Sequence, residues 1–277
     1  MATAMFFFAC IDGLSKYLMQ PGKEDFSVIQ VLWIRYLFLV VLSVIFSSRR
    51  GGIAMLRTRR PWLQVARSVI FLVQLALVLL GFKFLPMDEV VSIGAAAPLL
   101  VTAASVPLLG EKVGVRRWTA VSVGFVGVLL ILRPGLAVVQ PASLWVLLAT
   151  GLFTIVQVMT RVLARTDSSE TTVAYTALIG AAALSTIGPF HWTPPDTTAW
   201  ILLIVIATFG GLGNFLFIIA VQTAPPVALQ PLFYTLLIWS TLMGYVLFGD
   251  IPDAFTIIGA SMIVGGGLYA LFRERRL

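Results

Sequence analysis

Asp12 and Arg35 are charged residues set deep in otherwise apolar runs, "FFFACIDGLSKYLM" and "VLWIRYLFLVVL". A charge at that depth costs about 2.5–3.5 kcal/mol to insert into a bilayer, which makes it a candidate functional group. Counted inward from the nearer ends of their runs, both sit roughly 10–12 Å below one boundary, at 1.5 Å per residue. They are expected to meet as a structural ion pair; the other reading is a proton-coupling carboxylate at Asp12. Uncharged polar groups at mid-run are the next candidates. Gln74, Gln157 and Asn214 can hydrogen-bond the polar end of a substrate or a neighbouring helix. Phe153, Phe217, Tyr234 and Trp239, with Phe8, lie at comparable depths and can shape its apolar part. Gly210, Gly211 and Gly213 of "FGGLGNFLF" permit close approach or a loosened helix. Together with Pro98, which removes a helical hydrogen bond, they are read as gating or kink positions. Lys16, Arg161 and Arg67 lie near run ends, where long side chains reach the interface.

Catalysis fits these residues poorly. The single histidine, His191, lies in the loop "GPFHWTPP", and neither G-x-S-x-G nor a phosphate-binding Walker pattern occurs. No cofactor or metal site is expected, and an intramembrane enzyme is a remote alternative.

The elements that must position these residues are membrane helices. Of 277 residues, 59% are hydrophobic and 11% charged, far from the soluble norm of about a quarter charged. Apolar runs recur near 2–19, 27–47, 62–82, 89–109, 116–132, 142–163, 172–189, 198–221, 227–248 and 254–272. Each approaches the roughly 20 residues that cross a bilayer. Runs such as "LWVLLATGLF" are apolar on every side, unlike the alternating strands of a barrel. The net charge of +7 is concentrated in particular loops, which is a mark of membrane orientation rather than of nucleic-acid binding. Arg49, Arg50, Arg57, Arg59 and Arg60 follow the second run, and Lys112, Arg116 and Arg117 the fourth. Residues 273–277 form a basic tail. Both termini are therefore expected in the cytoplasm, and the partners are the lipid bilayer and a small-molecule substrate, with a monomer as the simplest assembly.

The chain repeats itself. Gly110–Glu111 and Gly249–Asp250 are separated by 139 residues, and the same shift carries Pro86 onto Pro225, Ser122 onto Ser261 and Gly127 onto Gly266. A shift of 145 carries Phe8 onto Phe153, Lys16 onto Arg161 and Asp12 onto Gln157. Residues 1–133 and 142–272 thus read as two five-helix repeats. An odd number of spans inverts the second, the arrangement of many secondary transporters with midplane substrate sites. Glu111 and Asp250 fall at opposite surfaces and cannot share one site. Each follows a helix-ending glycine and precedes the next helix, where an acid complements the helix dipole. Both Gly-acid pairs are read as helix-turn caps.

The segments "PLLGEKVGVRRWTAVSVGFVGVLLIL" and "YVLFGDIPDAFTIIGASMIVGGGLYAL" resemble the paired signatures of the EamA branch of the drug/metabolite transporter superfamily. Within it the chain looks most like the YddG-type exporters of aromatic and other neutral amino acids. The resemblance implies an all-α fold of ten transmembrane helices around a central cavity, bounded mainly by the first four helices of each half. It further implies a bacterial inner-membrane exporter, with a proton-coupled exporter of other metabolites or cationic drugs as the alternative. Asp250 departs from the family's usual glutamate in the second half.

Overall fold

A computed structural model describes residues 1–20, 25–48, 56–97, 99–101, 115–132, 141–224, 229 and 232–274. Pro98, Gly110 and Glu111 lie outside the described residues. Among the described residues ten α-helices follow in order: α1 Ala2–Met19, α2 Val28–Ser48, α3 Pro61–Phe84, α4 Met87–Gly94, α5 Val115–Leu132, α6 Pro141–Leu163, α7 Ser169–Ser185, α8 Thr197–Thr223, α9 Thr235–Phe248 and α10 Ala254–Glu274. A short 3-10 turn, Gly188–His191, precedes α8. By length and composition α1, α3, α6 and α8 can each cross a bilayer, and α2, α5, α9 and α10 hold shorter apolar stretches. Val41, Leu148, Ile201, Ile238 and Ile258 point outward from their helices as exposed apolar side chains, which suits a lipid surface.

Local chemistry sets several helix ends. Ser168 accepts the Thr171 N–H at the start of α7, and Asp196 accepts the Ala199 N–H at the start of α8. α9 stops where Gly249 takes φ 71°, with the Gly249 N–H on the Tyr245 carbonyl and the Asp250 N–H on that of Gly244. The Gly249–Tyr245 bond, with glycine in the left-handed region, closes the helix as an αL turn. The acid capping α10 is Asp253, which accepts the Thr256 N–H at 2.9 Å. Asp250 does not hold that position; it is drawn to Lys16.

The packing is symmetric under exchange of the halves. α1 packs on α8 and α9, and its counterpart α6 packs on α3 and α4. α2 meets α7 and α8, and α7 meets α2 and α3; α4 lies on α9 and α5 on α10. The α5–α10 contact shows the relative direction of the repeats. A methyl on Gly127 would sit 2.6 Å from the Gly259 carbonyl oxygen and 3.1 Å from Ile263. One on Gly259 would sit 2.6 Å from both the Gly127 carbonyl oxygen and Ile131. Moving forward along α5, from 127 to 131, moves the contact backward along α10, from 263 to 259, so the two helices run antiparallel. The chain is thus an all-α membrane protein of two inverted five-helix repeats, with α5 and α10 paired outside the central helices.

Polar bonds cross between the repeats at both ends. At one end Gln30 Nε2 donates to the Thr193 carbonyl at 2.6 Å, and the Thr193 N–H returns a bond to Gln30 Oε1 at 2.9 Å. At the other, Gln64 Nε2 donates to Asp167 at 2.8 Å and the Thr58 hydroxyl donates to the same carboxylate.

Candidate functional site

A cavity of about 120 Å³ lies between the repeats. Apart from α2, which lends one residue, the bordering helices contribute residues three or four apart, and hence on one face. α1 supplies Phe8 and Asp12; α2 supplies Arg35; α3 supplies Phe71, Gln74 and Val78; α4 supplies Val90 and Gly94. From the second repeat come Thr150 and Phe153 of α6, Asn214 and Phe217 of α8, Phe233 just before α9 and Leu236 in its first turn. Among the described residues neither α5 nor α10 contributes a lining residue.

The apolar part of the wall is a connected chain of rings. Phe8 lies 5.9 Å from Phe217, Phe217 5.7 Å from Phe153, and Phe153 5.9 Å from Phe233, centroid to centroid. Tilted contacts at these separations suit the aromatic quadrupole and offer ring faces and edges to a planar or cationic guest. Phe8 and Phe153, which the 145-residue shift superposes, both contact Phe217.

The polar part is under-satisfied. Arg35 Nη1, Gln74 Oε1 and Asn214 Nδ2 are buried without a hydrogen-bond partner. Asp12 and Arg35 line the same cavity, yet no contact of 4.0 Å or less joins them, so the expected direct ion pair is not formed. A buried group left unpaired costs about 1–3 kcal/mol, more when charged. Such a set suits an incoming ligand better than it suits packing alone. Thr150 differs, because its hydroxyl already donates to the Val146 carbonyl.

Of the seven residues expected to hold substrate, Gln74, Phe153, Asn214 and Phe217 line this cavity. Gln157 stands one turn beyond Phe153 and does not. Tyr234 turns to α10, where its hydroxyl fills the space a side chain on Gly267 would need. Trp239 meets Phe6 edge-on at 5.2 Å, within the α1–α9 contact. Phe71, Thr150, Phe233 and Leu236 were not anticipated; the signal available was their three-residue spacing from Gln74, Phe153 or one another.

Other expectations are corrected. α8 runs unbroken through its glycines, which serve close packing: Gly210 backs Arg35, Gly211 backs Leu42, and Gly213 backs Phe7 and Phe8. Arg67 does not reach the interface; it is 1% exposed, with Nε donating to Thr160 and Nη1 to Thr176, each at 2.7 Å. Lys16 is likewise buried and bound to Asp250. Arg161 is exposed, as a snorkelling residue should be, and His191 is exposed in its turn, away from the cavity.

Outside the membrane-spanning segments, Asp167 joins the α6–α7 turn to the segment before α3. Burial opposes its ionisation, but hydrogen bonds from Thr58, Gln64, Thr166 and the Arg59 N–H outweigh this and hold its pKa below the ordinary aspartate value. Among the described residues no group of three or more His, Cys, Asp or Glu side chains is placed to hold a metal ion.

Ten helices in inverted halves, a central cavity and peripheral fifth helices define a membrane transporter. The chain belongs to the EamA-like transporter family, whose model matches residues 1–133 and 140–272. It is 25% identical over 96% of its length to an S-adenosylmethionine uptake transporter of Rickettsia prowazekii, covering 88% of that protein. It is 29% identical to a riboflavin transporter of Brucella anthropi, over 90% of this chain and 89% of the relative. A riboflavin transporter of Vibrio cholerae is 27% identical over 95% and 89%. A crystal structure of another protein, 18% identical, superposes on 99% of this chain and 98% of its own with a TM-score of 0.70, and shares the fold.

Proposed function

We propose that the transporter carries a small amphipathic metabolite with an amino-acid-type head and an aromatic or apolar body, by alternating access of its two repeats. Neutral and aromatic amino acids belong to this class. So does S-adenosylmethionine, named in the Rickettsia relative, which joins the same head to a sulfonium and an adenine ring. The observation that carries the reading is the wall itself: a carboxylate at Asp12 and a guanidinium at Arg35, unbridged, beside a chain of four phenylalanines. Gln74 and Asn214 supply an acceptor and a donor to the head. A neutral flavin is the second reading, favoured by the same rings and by the riboflavin relatives.

The proposed setting is a bacterial inner membrane with both termini in the cytoplasm, supported by the loop charges. No separate energy-coupling motif is present in the sequence, so the direction follows the gradient supplied, export included. The test is movement of labelled L-phenylalanine, S-adenosylmethionine and riboflavin into and out of proteoliposomes, with and without a proton gradient. At least one amino-acid-headed solute should cross faster than in protein-free vesicles. Movement of riboflavin alone would favour the second reading, and movement of none of them would overturn both.

A further inference from the structure

Beside the main cavity, between α2, α3 and α8, lies a side cavity of about 20 Å³, lined by Arg35, Tyr36, Phe71, Gly210 and Asn214 among others. That is room for about one water-sized group. Three of the residues that line it carry a buried hydrogen-bond donor without a partner: Arg35 Nη1, Tyr36 Oη and Asn214 Nδ2. Tyr36 is 2% and Asn214 5% exposed, so bulk water does not satisfy them. The seats of these residues are built by glycines. Any Cβ on Gly180 of α7 would fall 2.1 Å from the Tyr36 ring, and one on Gly210 would fall 3.0 Å from Arg35 Nε. A phenol with no bond to give up, held in a slot cut to its ring beside an unpaired guanidinium, is costly in the empty protein. An anionic oxygen is the kind of group that such unpartnered donors take.

We infer that Arg35, Tyr36 and Asn214 form a carboxylate-binding subsite opening off the main cavity, which selects solutes carrying a carboxylate over those lacking one. This rests on the reading of an amino-acid-headed solute and deepens it. One carboxylate oxygen takes the side cavity. The ammonium is then held toward Asp12, and the body lies along Phe8, Phe217 and Phe153. Arg35 and Asn214 border both cavities, which makes them the hinge between head and body recognition. A neutral flavin has no carboxylate for this position.

The decisive variant is Tyr36→Phe, which deletes one oxygen that bonds nothing in the empty protein and so leaves folding intact. Gly180→Ala is the second variant, since it displaces the same ring from behind. Dissociation constants would be measured on purified full-length protein for L-phenylalanine and phenethylamine, for S-adenosylmethionine and its decarboxylated form, and for riboflavin. The wild type should bind a carboxylate-bearing probe more tightly than its decarboxylated partner. Tyr36→Phe should weaken the carboxylate-bearing probe about 10- to 150-fold, the range for a bond to a charged group, and leave its partner unchanged. If L-phenylalanine or S-adenosylmethionine binds the wild type and Tyr36→Phe equally, the subsite is overturned while the amino-acid-headed reading stands. If riboflavin alone binds, or no probe does, both fall.

Discussion

Lys16 Nζ stands 3.0 Å from Asp250 Oδ2, joining the end of α1 in the first repeat to the turn between α9 and α10 in the second. The two side chains are 10% and 28% exposed, and the Lys16 ammonium also lies 4.6 Å from the centre of the Phe248 ring. Asp250 is therefore more than helix punctuation: it ties the repeats together at one end of the molecule. Removing either partner leaves the other unpaired in a largely buried site. Lys16→Met and Asp250→Asn should each lower unfolding stability by about 1.5–3 kcal/mol. The exchanged pair, Lys16→Asp with Asp250→Lys, should recover part of the loss in a thermal melt of purified protein. Equal stability of all four proteins would show that the bridge holds nothing.

Arg67 pins α3 to α6 and α7 through Thr160 and Thr176. Lysine cannot hold that two-way geometry. Arg67→Lys should cost about 1.5–3 kcal/mol, and Thr160→Val should cost nearly as much by leaving Nε unpaired. Melting curves in detergent check this, and a neutral Arg67→Lys would refute the pinning role.

Asp167 gives stability a pH dependence of definite sign. Its folded-state pKa is lowered, so its contribution is complete above the ordinary aspartate pKa of about 3.9 and is lost as pH falls through the lower folded value. At pH 7 Asp167→Asn should be less stable than wild type by roughly 1 kcal/mol, since water screens a half-buried site. As pH falls through that lowered folded value the two proteins should converge. A gap that widens on acidification would contradict the hydrogen-bond assignment.

The fifth helices should be separable from the cavity. Gly127→Ala and Gly259→Ala each place a methyl 2.6 Å from a carbonyl oxygen of the partner helix. Overpacking of this kind costs about 1–3 kcal/mol. Folded protein that survives should bind substrate with unchanged affinity, because no described residue of α5 or α10 lines the cavity. A large change in affinity would make these helices part of the site.

Much of the architecture was legible because membrane helices write themselves as apolar runs, and inversion follows from counting five per half. Asp12, Arg35, Gln74 and Asn214 stood out because a polar residue is rare inside such a run. The aromatics did not sort themselves. α8 is apolar on all sides, so no periodicity separates Phe217, which faces the cavity, from the lipid-facing Ile201 and Ile204. Tyr234 and Trp239 looked equivalent to Phe217 for the same reason. Lys16 and Arg67 were read as interface anchors because depth alone says nothing of a partner far along the chain, here Asp250 and Thr160. Similarly, "GDIPD" offers two acids for one helix start, and only the fold assigns the cap to Asp253 and the cross-repeat bridge to Asp250.

The most direct measurement is the transport rate of the best-carried solute in proteoliposomes, for wild type, Gln74→Ala, Asn214→Ala and Glu111→Ala at matched amounts of folded protein. If solute passes through the cavity between the repeats, Gln74→Ala and Asn214→Ala should each weaken the interaction roughly 5- to 150-fold, the range for about 1–3 kcal/mol. Glu111→Ala should transport like wild type. Undiminished transport by both cavity variants would contradict passage by this route.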